Sequence, residues 1–453
     1  MANAGQKETL IVGLGATGIS CARFLASRGE SFRVADSRSN PPALTELVQD
    51  YPEVAVELGK FKEQSFVSAS ALVVSPGVSL REPAIMAARD QGIPISGDID
   101  LFSRHVQAPI VAVTGSNGKS TVVEILASIL HFTGCNFGVG GNLDGHRFKP
   151  ALDLLLEAEQ RQLYLLELSS FQLETTEKLN AEVACILNIS ADHQDRYNSM
   201  EDYILAKQRI YKGAKHIVVN RDDVLTFPSR MFTAIRWDFG FGQPGSSGFG
   251  LLEEDGEQYL AFQFEKIMRV NELKVFGRHN VANVLAAAAM AVAAGIRRKS
   301  IIEAIRGFTG LPHRCQWIAN VTGIEFYNDS KGTNVGATMA AVEGLGQRIS
   351  GHIVLIAGGV GKGADFQTLV PVIKRWVKQV ILMGRDAAAM AADFDAEVQT
   401  SFARNMQEAV RTAFNHAESG DAVLLSPACA SYDMFENYQQ RGQSFVQSVE
   451  NLQ

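Results

Sequence analysis

Cysteine is scarce and shows no pairing pattern. Cys21, Cys135, Cys185, Cys315 and Cys429 are scattered over 453 residues with no Cys-x-x-Cys. An odd, dispersed set argues against a disulfide framework and a thiolate zinc site, and suits a reducing compartment. Positive charge is not in excess either. The net charge of −7 leaves no basic face of the kind that nonspecific nucleic-acid binding requires. It still permits an anionic ligand at a local cationic site. Long apolar runs are missing too. The longest alanine-rich one, Val284 to Ile296, is too short for a bilayer and predicts a buried helix. Met1 to Glu8 is polar, with no signal-peptide core. These absences predict a cytoplasmic protein, without nucleic acid and without membrane insertion; a monomer is expected. What remains is a chain 46% apolar and 20% charged, with a large core and two to four domains at ~100–200 residues each.

The chain is organised around Ile110 to Leu130. Ile110 to Val113 has the composition of a buried strand, and Val122, Ile125, Leu126, Ile129 and Leu130 recur with helical period. Between them lies Thr114-Gly115-Ser116-Asn117-Gly118-Lys119-Ser120-Thr121. Strand, glycine turn and helix in this order aim backbone N–H groups and a helix N-terminus at one point, an anion site that fits a polyphosphate. Lys119 would reach the terminal phosphates and Ser120 would put its hydroxyl on Mg²⁺. The plainer alternative is a strand–turn–helix with a capping Ser and a surface Lys. Val113 occupies the position where the general P-loop pattern has glycine. The resulting shorter loop resembles that of the Mur ligase family, ATP-dependent amide-forming enzymes of peptidoglycan synthesis, and of their folylpolyglutamate synthetase relatives.

A second glycine turn comes earlier. The strand Thr9 to Val12 is followed by Gly13-Leu14-Gly15-Ala16-Thr17-Gly18 and a helix, and a strand from Ser31 ends at Asp36. This is the Rossmann fingerprint. Alone it predicts an NAD-dependent dehydrogenase; a generic tight βα turn and a site for another nucleotide's diphosphate are the alternatives. Ala71 to Val78 is a strand ending in a turn at the same sheet edge, so Asp36, Ser37, Arg38 and Ser75 would share one crevice. Pro94 to Asp98 is expected to be the exit from this domain.

Further on, Asn142 follows a glycine run and is expected on a loop facing the phosphates. Glu167 ends an apolar strand beside the P-loop, where a carboxylate suits Mg²⁺; a solvated strand-end charge is the alternative. Asn188-Ile189-Ser190-Ala191-Asp192-His193 follows another strand, and a helix from Met200 to Tyr211 carries Lys207. Sequence physics alone makes Lys207 an exposed helix lysine. Trp237 to Val275 is turn-rich, with hairpin strands. Asn280 and Asn283 start the alanine-rich helix one turn apart; capping by Asn280 is an alternative. Gly310 to Arg314 is a hinge candidate. Strands at Glu325–Asn328, Ile353–Ala357, Val380–Met383 and Ala422–Leu425 alternate with helices, which predicts a parallel sheet. Their loops bring Lys331, Thr333, Lys362 and Ser431 to one edge, cationic and hydroxyl groups that suit a small dicarboxylate.

The resemblance to Mur ligases covers nearly the whole chain through about six motifs. It implies an α/β fold of three domains: a Rossmann-like UDP-substrate domain (1–98), a central P-loop ATPase domain with a parallel sheet (99–310), and a Rossmann-like amino-acid-binding domain (311–453). It implies ATP contacts from Gly115 to Thr121, with Asn280, Asn283, Arg314 and Asp329. It implies UDP-substrate contacts at Gly15, Thr17, Asp36, Ser37, Arg38, Ser75, Gly77, Asn142 and His193. Ser120, Glu167, His193 and Lys207 would hold two Mg²⁺ ions, with Lys207 carbamylated. Lys119, His193 and Lys207 would be the catalytic residues. The run Ser-Pro-Ala-Cys-Ala-Ser-x-Asp-x-Phe from Ser426 points to D-glutamate as the amine and UDP-N-acetylmuramoyl-L-alanine as its acceptor. D-glutamate would meet Lys331, Thr333, Lys362, Ser431 and Tyr438, the last where the family pattern has Phe. Rival classes are an NAD dehydrogenase, which leaves the Lys119 loop idle, and a regulatory or motor ATPase, which leaves the C-terminal loops idle.

Overall fold

The computed structural model describes residues 8–142, 149–190, 196–229, 233–275, 277–361, 363–394 and 398–452. Its strands gather into three sheets. The first holds β1 (Thr9–Val12), β2 (Phe32–Asp36), β3 (Val56–Leu58), β4 (Ala71–Val74) and β5 (Ile95–Ser96) in the order β3-β2-β1-β4-β5. All of its pairings are parallel, so the strand order reverses between β1 and β4. That reversal is where a doubly wound sheet opens a ligand crevice at its carboxyl edge.

The second sheet holds β6 (Ile110–Thr114), β7 (Phe137–Gly141), β8 (Leu163–Glu167), β9 (Val183–Ile186), β10 (His216–Asn220), β11 (Ile235–Phe239), β12 (Gly248–Glu254), β13 (Glu257–Phe262) and β14 (Glu265–Arg269). Its order is β14-β13-β12-β11-β10-β9-β6-β8-β7. β6 lies between β9 and β8 and is parallel to both. Its residues are all buried, as expected for a strand covered on two faces, which gives a continuous apolar run rather than alternation. The β12–β13 pair is antiparallel, the hairpin expected from the alternating stretch near Gln258.

The third sheet holds β15 (Gln316–Val321), β16 (Ile324–Asn328), β17 (Ile353–Ala357), β18 (Val377–Leu382), β19 (Thr400–Phe402) and β20 (Ala422–Leu425) in the order β15-β16-β20-β17-β18-β19. It is parallel from β16 to β19, with β15 antiparallel at one edge. Strands and helices alternate along most of the chain, except through β11–β14 and β15–β16, and the fold is α/β. The chain forms two compact units: Met1–Ile267 with Ala282–Ala304, and Met268–Val281 with Ile305–Gln453.

Ile95–Ser96 is the fifth strand, paired with β4, and the last of the first sheet in chain order. The glycine run before Asn142 is strand β7, and Asn142 follows its last residue. Its glycines are tight-packing positions: a Cβ at Gly138 would lie 2.8 Å from the Tyr164 ring, and one at Gly140 would lie 2.7 Å from the Lys149 carbonyl. Asn280 is the third residue of the helix Arg278–Ala293, so it is not that helix's cap.

Candidate active site

Parallel pairing sets the centre of the site. β6 and β8 run side by side with Val113 opposite Glu167, so the loop after β6 and the Glu167 carboxylate emerge at one edge. The Thr114 hydroxyl donates to the Leu168 carbonyl at 2.7 Å and locks the two strand ends together. Gly118 takes the left-handed conformation, φ 84°, immediately before the helix Lys119–Phe132. Glycine adopts that conformation without strain, and a Cβ there would also clash with the Asn283 carboxamide oxygen. Asn283 therefore rests on the loop itself. The first-turn N–H groups of Lys119, Ser120 and Thr121 have no intrahelical acceptor. The N–H groups of Ser116 and Asn117 instead donate to Asn188, at 3.0 and 2.9 Å. Ser116 Oγ also meets Tyr203 Oη at 3.0 Å. Lys119 Nζ donates to the Gly115 and Ser116 carbonyls.

Glu167 is buried, and its Oε1 accepts from Asn142 Nδ2 at 3.4 Å; it is no solvated strand-end charge. Lys207 is 2% exposed, which overturns the expectation of an exposed lysine. Its Nζ donates to the Gly115 carbonyl at 3.0 Å and lies 4.8 Å from the centre of the Tyr203 ring. Lys207 is thus a buried group beneath the phosphate loop. The hard oxygens of Ser120 and Glu167 are the donor type that Mg²⁺ takes. His193 lies outside the described residues.

The crevice of the first sheet is a cavity of about 450 Å³ lined by Gly15, Thr17, Asp36, Ser37, Arg38, Ser75, Gly77 and Asn142, together with Asp98 and Gln172. All eight of these expected UDP-substrate residues meet here; Asn142 does so rather than facing the phosphate loop alone. Ser75 Oγ donates to the Gly13 carbonyl at 2.9 Å and closes the switch point. Asp36 accepts from Leu14 N at 2.7 Å and from Arg38 N, Nε and Nη2 at 2.8, 2.9 and 2.6 Å. Burial pushes its carboxyl up, but the Arg38 and Leu14 donors together outweigh that and hold it below the usual range. Asp36 therefore acts on the cavity by fixing Arg38 and the glycine turn. Asp98 and Gln172 were not foreseen as site residues. Asp98 follows β5, a strand of two residues with no local pattern, so its position carried no signal in the sequence.

In the third sheet, β16, β20 and β17 are neighbours, and the loops at their carboxyl ends are bonded to one another. Ala428 N donates to the Gly332 carbonyl at 2.9 Å, and Val360 and Ala430 exchange a pair of backbone hydrogen bonds. Lys331 Nζ lies 5.4 Å from the centre of the Tyr438 ring, and Ser431 is buried while Thr333 is exposed. Lys362 lies outside the described residues. Asp329 is buried, accepting from Ser426 Oγ at 2.7 Å and Cys315 N at 3.1 Å. Burial lifts its carboxyl to about 6. Arg314 is exposed. Arg441, which sequence reasoning missed, is buried and donates to Ser330 Oγ, Ser330 O and Cys429 O at 3.0, 2.8 and 3.1 Å. Its signal was a charge on the core-facing stripe shared with Phe445 and Val449.

Family models match in chain order: a Mur ligase MurD-like N-terminal domain over residues 7–97, a Mur ligase middle domain over 113–291, and a Mur ligase glutamate ligase domain over 313–429. The chain is 51% identical over 443 residues to the UDP-N-acetylmuramoylalanine–D-glutamate ligase of Pseudomonas aeruginosa, covering 98% of each chain. Among solved structures it resembles a UDP-N-acetylmuramoyl-L-alanyl-D-glutamate–2,6-diaminopimelate ligase, with a TM-score of 0.62 and 19% identity over 86% of this chain and 90% of that one. It also resembles the UDP-N-acetylmuramate–alanine ligase of Thermotoga maritima, with a TM-score of 0.55 and 18% identity over 99% of this chain and 100% of that one. These two likenesses speak to the fold alone. Identity of about half over the full length, with all three domain models matched in order, makes the chain a member of the Mur ligase family.

Proposed function

We propose that the chain is an ATP-dependent amide ligase that joins D-glutamate to UDP-N-acetylmuramoyl-L-alanine in cytoplasmic peptidoglycan precursor synthesis. The observation that carries this is the loop Gly115–Thr121, set beside the buried Glu167 in a chain whose full-length relatives bear that activity in their name. A carboxylate is a poor electrophile. A carboxylate oxygen of the alanyl group attacks the γ-phosphorus of ATP, the bond to ADP breaks, and an acyl phosphate forms. The D-glutamate amine, having lost a proton, attacks the acyl carbon, and the carbon–oxygen bond breaks to release phosphate. Lys119 neutralises charge on the moving phosphoryl group, so the loop works by position and electrostatics. Bound Mg²⁺ would supply further charge neutralisation, with Ser120, Glu167 and His193 as its holders. Lys207 is assigned as a carbamate oxygen donor to that site, on the family resemblance and on its burial under the loop.

The remaining roles follow the same reading. The first-sheet cavity takes the UDP diphosphate on the Gly13–Thr17 turn and Arg38. Asn280, Asn283, Arg314 and Asp329 serve ATP; Lys331, Thr333, Lys362, Ser431 and Tyr438 serve D-glutamate. The domains are taken as 1–98, 99–310 and 311–453, which the residue spans of the three sheets support. We take the protein as a cytoplasmic monomer without a nucleic-acid partner. Among the described residues no helix is long and apolar enough to cross a membrane.

ADP release tests the function. With UDP-N-acetylmuramoyl-L-alanine present, D-glutamate should start ADP release, while L-glutamate, D-alanine and diaminopimelate should not. ADP release independent of the amino acid, or turnover of NADH, contradicts the reading.

A further inference from the structure

Two carboxylates line the first-sheet cavity, and they are not equivalent. Asp36 has both oxygens engaged by Leu14 and Arg38. Asp98 is 1% exposed, its Oδ2 accepts from Gln172 Nε2 at 3.1 Å, and its Oδ1 has no hydrogen-bond partner among the described residues. Gln172 is itself fixed. Its Oε1 accepts from Ser169 N at 3.1 Å, closing a capping box on the helix Ser170–Glu174. Asp98 is thus a rigidly held acceptor in the wall of a 450 Å³ cavity.

A buried acceptor left unmatched is costly and uncommon. Burial already pushes this carboxyl up to about 6, against the opposing hydrogen bonds from Gln172 and from the backbone N–H groups of Ile99 and of Asp98 itself. The arrangement fits a site that a ligand completes, and that ligand must bring a donor. A diphosphate offers only acceptors and would be repelled by a carboxylate. Ribose hydroxyls belong at the end of β2 in pockets of this type, whereas Asp98 follows β5, on the other side of the β1/β4 switch point. The uracil N3–H travels with that ribose, so the donors left for Asp98 are the hydroxyls and amide N–H groups of the sugar and alanyl arm. We infer that Asp98, positioned by Gln172, is the hydrogen-bond acceptor that selects the sugar–alanyl portion of the UDP-linked substrate. For the ligand's identity the inference rests on the ligase reading.

Calorimetric titration of the full-length protein with UDP and with UDP-N-acetylmuramoyl-L-alanine tests it. In Asp98→Asn the single oxygen stays on Gln172, and the amide NH₂ replaces Oδ1, so an acceptor becomes a donor. Affinity for the UDP-sugar compound should fall roughly ten- to hundred-fold while affinity for UDP is unchanged. An equal change for both ligands, or no change for either, overturns the inference. If the melting temperature shows that Asp98→Asn does not fold, the wild-type protein is titrated with analogues lacking one sugar hydroxyl or methylated at one amide nitrogen. At least one analogue should bind about ten-fold more weakly; equal binding by all overturns the inference. A wild type that binds in this sugar-dependent way yet forms no product with D-glutamate and ATP defeats the ligase reading and leaves the Asp98 site standing.

Discussion

Lys207 lies under the phosphate loop, placed by the Gly115 carbonyl and the Tyr203 ring. As a carbamate it would be an anion, and its loss would remove an oxygen ligand rather than a cation. Lys207→Ala should therefore lose most activity and regain part of it with added short-chain carboxylic acids, whose oxygen anion can occupy the vacated space. Loss without rescue would leave Lys207 as a structural cation under the loop. Lys119→Ala is the contrast. Its Nζ bonds only carbonyls of its own loop among the contacts seen, so the melting temperature should hold. Activity should fall roughly 10²–10⁴-fold, with no rescue by acids. Asp98 carries a pH signature. Its folded-state value of about 6 exceeds the ordinary carboxylate value near 3.9, so between these pH values the folded state holds the extra proton. Stability from this group is then present below about pH 4 and lost as pH rises through about 6. Measured by denaturant titration, Asp98→Asn should gain on the wild type by about 3 kcal/mol between those limits. A constant difference across that range contradicts the burial argument.

Among the elements, the C-terminal helix Tyr438–Glu450 does more than cover the third sheet. Arg441 reaches from it to Ser330, next to Lys331, and to Cys429, two residues before Ser431. It holds the β16 and β20 loops in register, and burial lowers its guanidinium to about 10. Arg441→Met keeps the apolar stem but strands buried acceptors. It should cost about 3 kcal/mol and raise KM for D-glutamate more than KM for ATP; equal effects on both would make the residue merely structural. Most elements around the site were legible because their signals are local: the continuous apolar strands β6, β9 and β17, the period of Lys119–Phe132, and the glycine turns. The misses were of another kind. β5 and β19, with two and three residues, exist because a neighbouring strand supplies their hydrogen bonds. The glycines of β7 are set by Tyr164 and Leu154 packing over them, a tertiary cause that no local pattern carries. The same holds for Lys207 and Arg441, since charged side chains look solvated until their surroundings are known.

At the level of the whole molecule, the first-sheet cavity and the loop Gly115–Thr121 belong to one compact unit and the loops proposed for D-glutamate to the other. In the proposed reaction the loop Gly115–Thr121 of the first unit handles the phosphoryl group, while Asn280, Arg314 and Asp329, proposed to serve ATP, belong to the second unit together with the residues proposed for the amine. The central claim is that the alanyl carboxylate, not D-glutamate, receives the phosphoryl group. The most direct test is a single turnover with UDP-N-acetylmuramoyl-L-alanine carrying ¹⁸O in the alanyl carboxylate, in the presence of ATP and D-glutamate. The carbon–oxygen bond that breaks leaves one carboxylate oxygen on the departing phosphate. Mass spectrometry should find one ¹⁸O in each released phosphate and the other retained in the new amide carbonyl. Unlabelled phosphate with product formed would contradict the account.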